Sequence, residues 1–177
     1  MDNPVKRTEA LVSVGSNIEP EANIAQAMLL LRDYVQLAAV STFYRTAPLG
    51  RPDQSPFLNG VCLVETEGTP RWLKFDVLRQ IESELGRCRT ADKYAPRSID
   101  LDIALFGEEI VKDPDLRVPD PDIRERPFVA VPIFELRPDT VLPDTGQALA
   151  DIVAVFAEAD MIADTSFTDS LRARLSL

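Results

Sequence analysis

The chain has 177 residues, enough for one domain with a substantial core, and 45% of them are hydrophobic. Its formal net charge of −10 disfavours a nucleic-acid or anionic-membrane surface, because phosphate groups are bound by clustered Lys and Arg. It contains no histidine, which excludes Ser-His, Cys-His and His-metal mechanisms.

The N-terminal third alternates strand and helix signals. ALVSVGSN (10–17) predicts a buried strand that ends at Gly-Ser-Asn, and Pro20 suits the first turn of a helix. The apolar face of that helix is formed by Ile24, Ala27, Met28 and Leu31. A β-branched and aromatic run within 35–50 breaks into a Pro/Gly loop, and NGVCLVETE (59–67) predicts a further strand.

A second helix is predicted to begin at Thr69-Pro70 and to end at Gly86. Its apolar residues are Leu73, Val77, Leu78, Ile81 and Leu85. A charged loop (87–97) follows, and then a strand begins near Ile99. The order β-α-β-β-α-β indicates a ferredoxin-like α+β fold, in which helices flank the sheet as α-β-α layers.

Prolines punctuate the chain after Gly107. We expect a short helix around 128–136 and a last amphipathic helix that uses Leu149, Ile152, Val153 and Phe156. Residues 161–177 are compatible with either a helix or a frayed tail. No composition change marks a domain boundary, so residues 1–177 are expected to form a single domain.

The two cysteines and the chain's start both bear on its location. Cys62 and Cys88 fit neither a metal-binding knuckle nor a disulfide scaffold. The N-terminus lacks the apolar core of a signal peptide, and no apolar stretch approaches the ~18 residues of a membrane span. We therefore expect a cytoplasmic protein without a membrane partner.

Two carboxylates share one face of the predicted strand at 99–105. Ile99, Leu101, Ile103 and Leu105 alternate with Asp100, Asp102 and Ala104. Asp100 and Asp102 would lie ~6.6 Å apart along that face, where unpaired charges repel. The simplest interpretation is a solvated face of the sheet.

A second interpretation links the carboxylates to the preceding loop, which contains four cations: Arg87, Arg89, Lys93 and Arg97. Mg²⁺ prefers oxygen ligands and commonly takes some of them from phosphates, while arginine binds phosphate in a bidentate manner. An acidic pair beside an arginine cluster therefore favours a magnesium-nucleotide site over surface salt bridges, which contribute at most about 1 kcal/mol each.

Seven segments occur in a characteristic order: VGSN (14–17), STFYRTAPLG (41–50), FLNGV (57–61), IESELGRCR (81–89), APRSIDLDIALFG (95–107), VPDP (118–121) and RPFVAVPIFEL (126–136). Through them the sequence resembles the 6-hydroxymethyl-7,8-dihydropterin pyrophosphokinase family over about residues 10–150. The resemblance implies transfer of pyrophosphate from ATP to the hydroxymethyl group of a reduced pterin, with release of AMP and with two Mg²⁺ ions as cofactors.

On the nucleotide side, the resemblance implies that Asp100 and Asp102 hold both metal ions and that Arg87 and Arg97 contact the phosphates. Glu82 is expected to lie against the nucleotide. Further nucleotide or loop contacts are implied for Arg89, Tyr94, Asp120 and Arg126. Such a transfer depends mostly on positioning and neutralised charge, so it needs no histidine.

On the pterin side, the resemblance implies that Phe57 and Phe128 sandwich the ring and that Asn59 contacts its polar edge. An aromatic sandwich suits a flat heteroaromatic ring, although simple core packing would also explain the two phenylalanines. Backbone groups of Thr46 and Leu49 are expected at the same edge, and Gly15 would let the chain pass close to the substrate.

Three positions depart from the family pattern. Asp120 stands where the family usually has a histidine, Tyr94 replaces the usual tryptophan, and Ala95 replaces the usual glycine. A carboxylate at 120 cannot donate to phosphate unless it is protonated. The loops 46–56 and 87–97 are expected to act as lids that order when both substrates bind.

The expected partners are the small molecules ATP and reduced pterin, and the expected assembly is a monomer or a weak dimer. One alternative is a relative that binds a pterin or a nucleotide with weak or no transferase activity. A ferredoxin-like nucleic-acid module is a second alternative, but it needs a basic, aromatic sheet face that this acidic chain does not favour.

Overall fold

The fold is a mixed α+β arrangement, seen in a computed structural model that describes residues 7–50, 52–88, 91–92 and 94–177. In chain order its elements are β1 (Thr8–Ser16), α1 (Pro20–Leu31), β2 (Gln36–Val40), β3 (Tyr44–Thr46), β4 (Phe57–Thr66), α2 (Pro70–Trp72), a π-helical turn (Leu73–Leu78), α3 (Arg79–Glu84), β5 (Asp100–Phe106), β6 (Val111–Asp113), β7 (Leu116–Val118), α4 (Asp122–Glu125), α5 (Pro127–Leu136), α6 (Leu149–Val155), β8 (Ile162–Ala163) and α7 (Thr165–Leu175).

The main sheet is antiparallel and has the strand order β5-β1-β4-β3-β8, with β2 pairing along the other part of β4. The two long strands β1 and β4 form its centre. β6 and β7 form a separate hairpin. Within the described ranges, no helix is long and apolar enough to cross a membrane.

The sheet separates two apolar clusters, as the α-β-α prediction requires. One face packs against α1, the π-helical turn, α3 and α7, and its centre includes Val12, Met28 and Leu101. The other face packs against α5 and α6 through Leu63, Ile133 and other apolar residues. The predicted ferredoxin-like α+β fold is confirmed, and helices, as well as loops, cover part of the second face.

Helix boundaries follow the sequence signals closely. Pro20 begins α1, and the Thr69 hydroxyl accepts a hydrogen bond from the backbone N–H of Trp72 at 3.1 Å to cap the next helix. That helix ends before Gly86, whose φ of 73° lies in the left-handed region that glycine tolerates. The C-terminal tail, undecided from sequence, forms α7 and buries Leu171 and Leu175.

β5 departs from strict alternation at one residue. Val12 pairs with Ile103 and Leu11 pairs with Leu105, so Ala104 is an extra residue in the ladder. This bulge turns Leu105 to the second face, so the prediction that it shares a face with Ile103 is wrong. The bulge lies beyond Asp102, so the side chains of Asp100 and Asp102 still share the second face.

Candidate active site

A cavity of about 320 Å³ opens over the second face of the sheet, beside the N-terminal end of α5. Strands β1, β4 and β5 form its floor, and the loop after β3, the loop before β5 and the segment after β7 contribute its walls. The predicted site residues that line it are Gly15, Thr46, Leu49, Phe57, Asn59, Tyr94, Arg97, Asp100, Asp102, Asp120, Arg126 and Phe128. The structure thus brings most of the predicted nucleotide and pterin residues to one cavity.

The acidic end of the cavity is neutralised by cations of the chain itself. The Asp100 carboxylate forms ion pairs with Arg87 and Arg97, and the Asp102 carboxylate pairs with Lys74. The side chains of Asp100 and Asp102 are 20% and 39% exposed. Both therefore reach solvent while remaining paired, and the two like charges can share one face of β5.

Glu82, expected against the nucleotide, lies instead behind the acidic pair. It is 2% exposed, accepts a hydrogen bond from the backbone N–H of Leu101 at 2.9 Å, and pairs with Arg87. Glu82 thus contacts the backbone of β5, at one end of the sheet, and does not line the cavity. Arg87 joins Glu82 to Asp100, so this buried carboxylate holds the guanidinium in place.

Arg87 itself is 11% exposed and does not line the cavity, whereas Arg97 does. Arg89 lies outside the described residues, as does Lys93 of the same predicted cluster. The predicted arginine cluster is therefore seen as two guanidinium groups that converge on Asp100.

The donor set at this end suits a magnesium ion only if other ligands complete it. Within the described ranges, no group of three or more Asp, Glu or Cys side chains could hold a metal. Asp100 and Asp102 offer hard oxygen donors on one face, and Mg²⁺ commonly binds one or two carboxylates and takes its remaining ligands from phosphate and water. The residues fit Mg²⁺ delivered together with a phosphate chain.

Asp120 lies on the cavity wall, where the chain runs from β7 into α4. Its backbone N–H donates to the carbonyl oxygen of Ala104 at 2.9 Å, and its carboxylate accepts from the N–H of Asp122 at the same distance. Burial raises the pKa of Asp120 to about 6, and the charges of Asp122 and Asp100 act in the same direction. This carboxyl group therefore remains mostly ionised at pH 7 and takes up its proton as the pH falls through about 6.

The other end of the cavity is formed by aromatic and amide groups. Phe57 and Phe128 both line it, and so does Asn59 of β4, whose side-chain amide donates to the Thr46 hydroxyl at 2.8 Å. A β-carbon on Gly15 would lie 2.6 Å from the Asn59 side-chain oxygen, so only glycine admits this side-chain position. The amide orientation is thus fixed from two sides.

The two predicted lid loops contact each other over the cavity. The Gln54 side chain donates to the Tyr94 carbonyl oxygen at 2.8 Å, and a β-carbon on Gly50 would lie 3.4 Å from the Tyr94 ring. Asn17 contacts both loops, because its amide N–H donates to Gln54 at 3.1 Å and its side-chain oxygen accepts from the N–H of Arg97 at 2.8 Å.

Sequence reasoning missed Lys74 and Asp122. Asp122 lines the cavity and lies 3.9 Å from Arg126, measured between Oδ1 and Nε. Its position two residues after Asp120 was a usable signal. Lys74 lies within a predicted helix and offered none, because its contact with Asp102 depends on how that helix packs against β5.

Fold and site together define a ferredoxin-like α+β protein with a two-part cavity, one end acidic and flanked by arginines, the other aromatic. The model of the family described as 7,8-dihydro-6-hydroxymethylpterin-pyrophosphokinase (HPPK) matches residues 11–138, and the chain belongs to this family.

Named relatives cover most of the chain. It is 38% identical over 156 residues to the 2-amino-4-hydroxy-6-hydroxymethyldihydropteridine pyrophosphokinase of Haemophilus influenzae, covering 86% of this chain and 96% of that protein. It is 41% identical over 146 residues to the enzyme of the same name from Pseudomonas aeruginosa, covering 81% and 88% respectively.

Solved structures agree on the fold. The HPPK-DHPS of Plasmodium falciparum crystallised with pteroate aligns with a TM-score of 0.64 at 13% identity, over 88% of this chain. The chain spans only 44% of that longer protein. At this identity, the similarity supports the fold alone.

Proposed function

We propose that this chain transfers pyrophosphate from ATP to the hydroxymethyl group of 6-hydroxymethyl-7,8-dihydropterin and releases AMP, a reaction of folate biosynthesis. Membership of the HPPK family supports this ATP-dependent pyrophosphokinase activity. The observation that carries the proposal is that one cavity contains both the acidic pair with Arg97 and the aromatic end with Asn59. The two substrates can therefore bind side by side.

At the acidic end, Asp100 and Asp102 would hold Mg²⁺, which we propose as two ions. The bound ions would supply positive charge to the phosphate oxygens. Arg97 on the cavity wall would contact the phosphates. Arg87, held by Glu82 behind Asp100, would add positive charge to the same end of the cavity. Tyr94, Asp120 and Arg126 line the same cavity. We assign these three residues, together with Arg89, to contacts with the nucleotide.

The reaction joins the pterin hydroxymethyl oxygen to the β-phosphorus of ATP. The bond between that phosphorus and the α–β bridging oxygen breaks, so AMP leaves with the bridging oxygen and the hydroxyl proton is released. Little covalent chemistry falls to the protein, because phosphoryl-type transfers depend on positioning and on stabilised charge. The arginines provide the stabilising charge and the cavity provides the alignment.

At the aromatic end, Phe57 and Phe128 would stack on the two faces of the pterin. Asn59 offers an amide donor and an acceptor to the ring's polar edge, and the backbone near Thr46 and Leu49 lies at the same place. Gly15 keeps the floor of this end open. These groups distinguish a flat, hydrogen-bonding ring from an aliphatic alcohol.

Three broader points belong to the same proposal. Residues 1–177 act as one domain, since α7 adds Leu171 and Leu175 to the core that α1 helps to form. The chain works as a monomer or a weak dimer on small molecules, with neither nucleic acid nor membrane as partner. Its reaction takes place in the cytoplasm, a reducing compartment in which both free cysteines persist.

The test is AMP formation from ATP, measured with and without the pterin and with and without Mg²⁺. We expect AMP only when all three components are present. Asp102→Asn should lower kcat/KM at least about a hundredfold, whereas Asp169→Asn, at an exposed position on α7, should leave it unchanged. AMP formation that does not depend on the pterin, or full activity of Asp102→Asn, would refute the proposal.

A further inference from the structure

The helical run from α2 to α3 is interrupted by one π-helical turn, Leu73–Leu78. The backbone N–H of Arg79 bonds to the carbonyl oxygen of Lys74, five residues earlier, so this turn holds one residue more than an α-helical turn. Leu73, Val77 and Leu78 remain fully buried on the helix-side core. π-Helical turns are rare in proteins, but those that occur are often at functional sites. The extra residue therefore suggests that the turn positions a functional side chain.

The turn positions Lys74 against β5. Its side chain is 13% exposed, unusual burial for a lysine, and its ammonium group pairs with the Asp102 carboxylate. The positive charge of Lys74 also lowers the pKa of Asp120 on the cavity wall, against the larger effect of burial. Lys74 therefore meets the acidic pair from the helix side, whereas Arg97 meets it from the loop.

Among the described residues, the carboxylates around the acidic pair all have cationic partners without any metal. Lys74, Arg87 and Arg97 pair with the carboxylates of Glu82, Asp100 and Asp102. A divalent cation entering this cluster must displace a cation from each carboxylate that it binds. At Asp102 the cation to be displaced is Lys74.

We infer that Lys74 is a built-in counter-cation at Asp102 that gives way to Mg²⁺ and so sets the metal affinity of the nucleotide-free protein. The inference rests on the proposed function, because it takes Asp102 to be a metal ligand. In the absence of metal, Lys74 stabilises the acidic pair. Mg²⁺ binding stays weak until a phosphate chain supplies further ligands to the ion and pairs with the displaced ammonium group of Lys74. Lys74 acts on the metal through its ion pair with Asp102.

The direct test is a calorimetric titration of Mg²⁺ into the nucleotide-free protein. Lys74→Met, which keeps the length of the side chain and removes its charge, should bind Mg²⁺ roughly tenfold more tightly than the wild type. Lys74→Arg, which keeps the charge, should stay near the wild type, and so should Lys112→Met at an exposed position on β6. Unchanged affinity in Lys74→Met would overturn the inference.

Two further measurements separate this inference from the proposed function and from a purely structural role. Mg²⁺ binding that survives Asp102→Asn would overturn the metal assignment itself, and the inference with it. In EDTA, Lys74→Met should unfold at a lower temperature than the wild type. Saturating Mg²⁺ should reduce this difference in unfolding temperature, because the ion then neutralises Asp102. An equal difference in unfolding temperature with and without Mg²⁺ would mean that Lys74 only stabilises the fold.

Discussion

Replacing Asp120 by asparagine isolates the cost of a buried charge at the cavity wall. Burial raises the pKa of Asp120 from 3.8 to about 6, so the folded protein binds this proton more tightly than the unfolded chain does. Ionising Asp120 therefore lowers the free energy of unfolding as the pH rises from about 4 to about 6. The full loss of free energy of unfolding, about 3 kcal/mol, is present above pH 7. Asparagine keeps an oxygen that can accept from the N–H of Asp122.

The assay is urea unfolding in EDTA at pH 4, 5, 6, 7 and 8. Asp120→Asn should be more stable than the wild type by about 1–3 kcal/mol at pH 8, and the difference should shrink towards zero at pH 4. Asp33→Asn, on an exposed turn, should change stability by less than about 0.5 kcal/mol at every pH. A difference between Asp120→Asn and the wild type that is independent of pH, or that grows in acid, would refute the assignment of a raised pKa to Asp120.

Two substitutions test how the cavity is held. Thr46→Val removes the hydroxyl that accepts from Asn59, so the KM for the pterin should rise about fivefold to tenfold while the KM for ATP stays constant; equal effects of Thr46→Ser, which keeps the hydroxyl, would contradict this. Glu82→Gln keeps an oxygen that can accept from the N–H of Leu101, but it removes the negative charge that pairs with Arg87. Urea unfolding should therefore show that the free energy of unfolding falls by about 2 kcal/mol. An unchanged unfolding midpoint would show that this buried ion pair does not stabilise the fold.

The period-two pattern of β5 was enough to predict that Asp100 and Asp102 share a face, because alternation is a property of the strand alone. The bulge at Ala104 could not be predicted, since it depends on the register with Leu11 and Val12, far away in the chain. Strand pairing thus decided where Leu105 points, although its own segment suggested the opposite face.

Other features depend on packing that only the folded chain reveals. Helical spacing predicted the burial of Leu73 and Val77, but it gave Lys74 the appearance of an ordinary surface lysine. Glu82 belongs to the same predicted helix, and its spacing did not show that it would be buried. Its carboxylate can be buried because the N–H of Leu101 and the guanidinium of Arg87 bind it.

The central claim is that the paired carboxylates bind a triphosphate through magnesium beside the arginines. Calorimetric titration of an ATP analogue with a non-cleavable α–β bridge, with and without Mg²⁺, tests it most directly. We expect binding that weakens at least about tenfold without Mg²⁺, and an Asp100→Asn protein that has lost this dependence. Equal affinity with and without the ion in the wild-type protein would contradict the account.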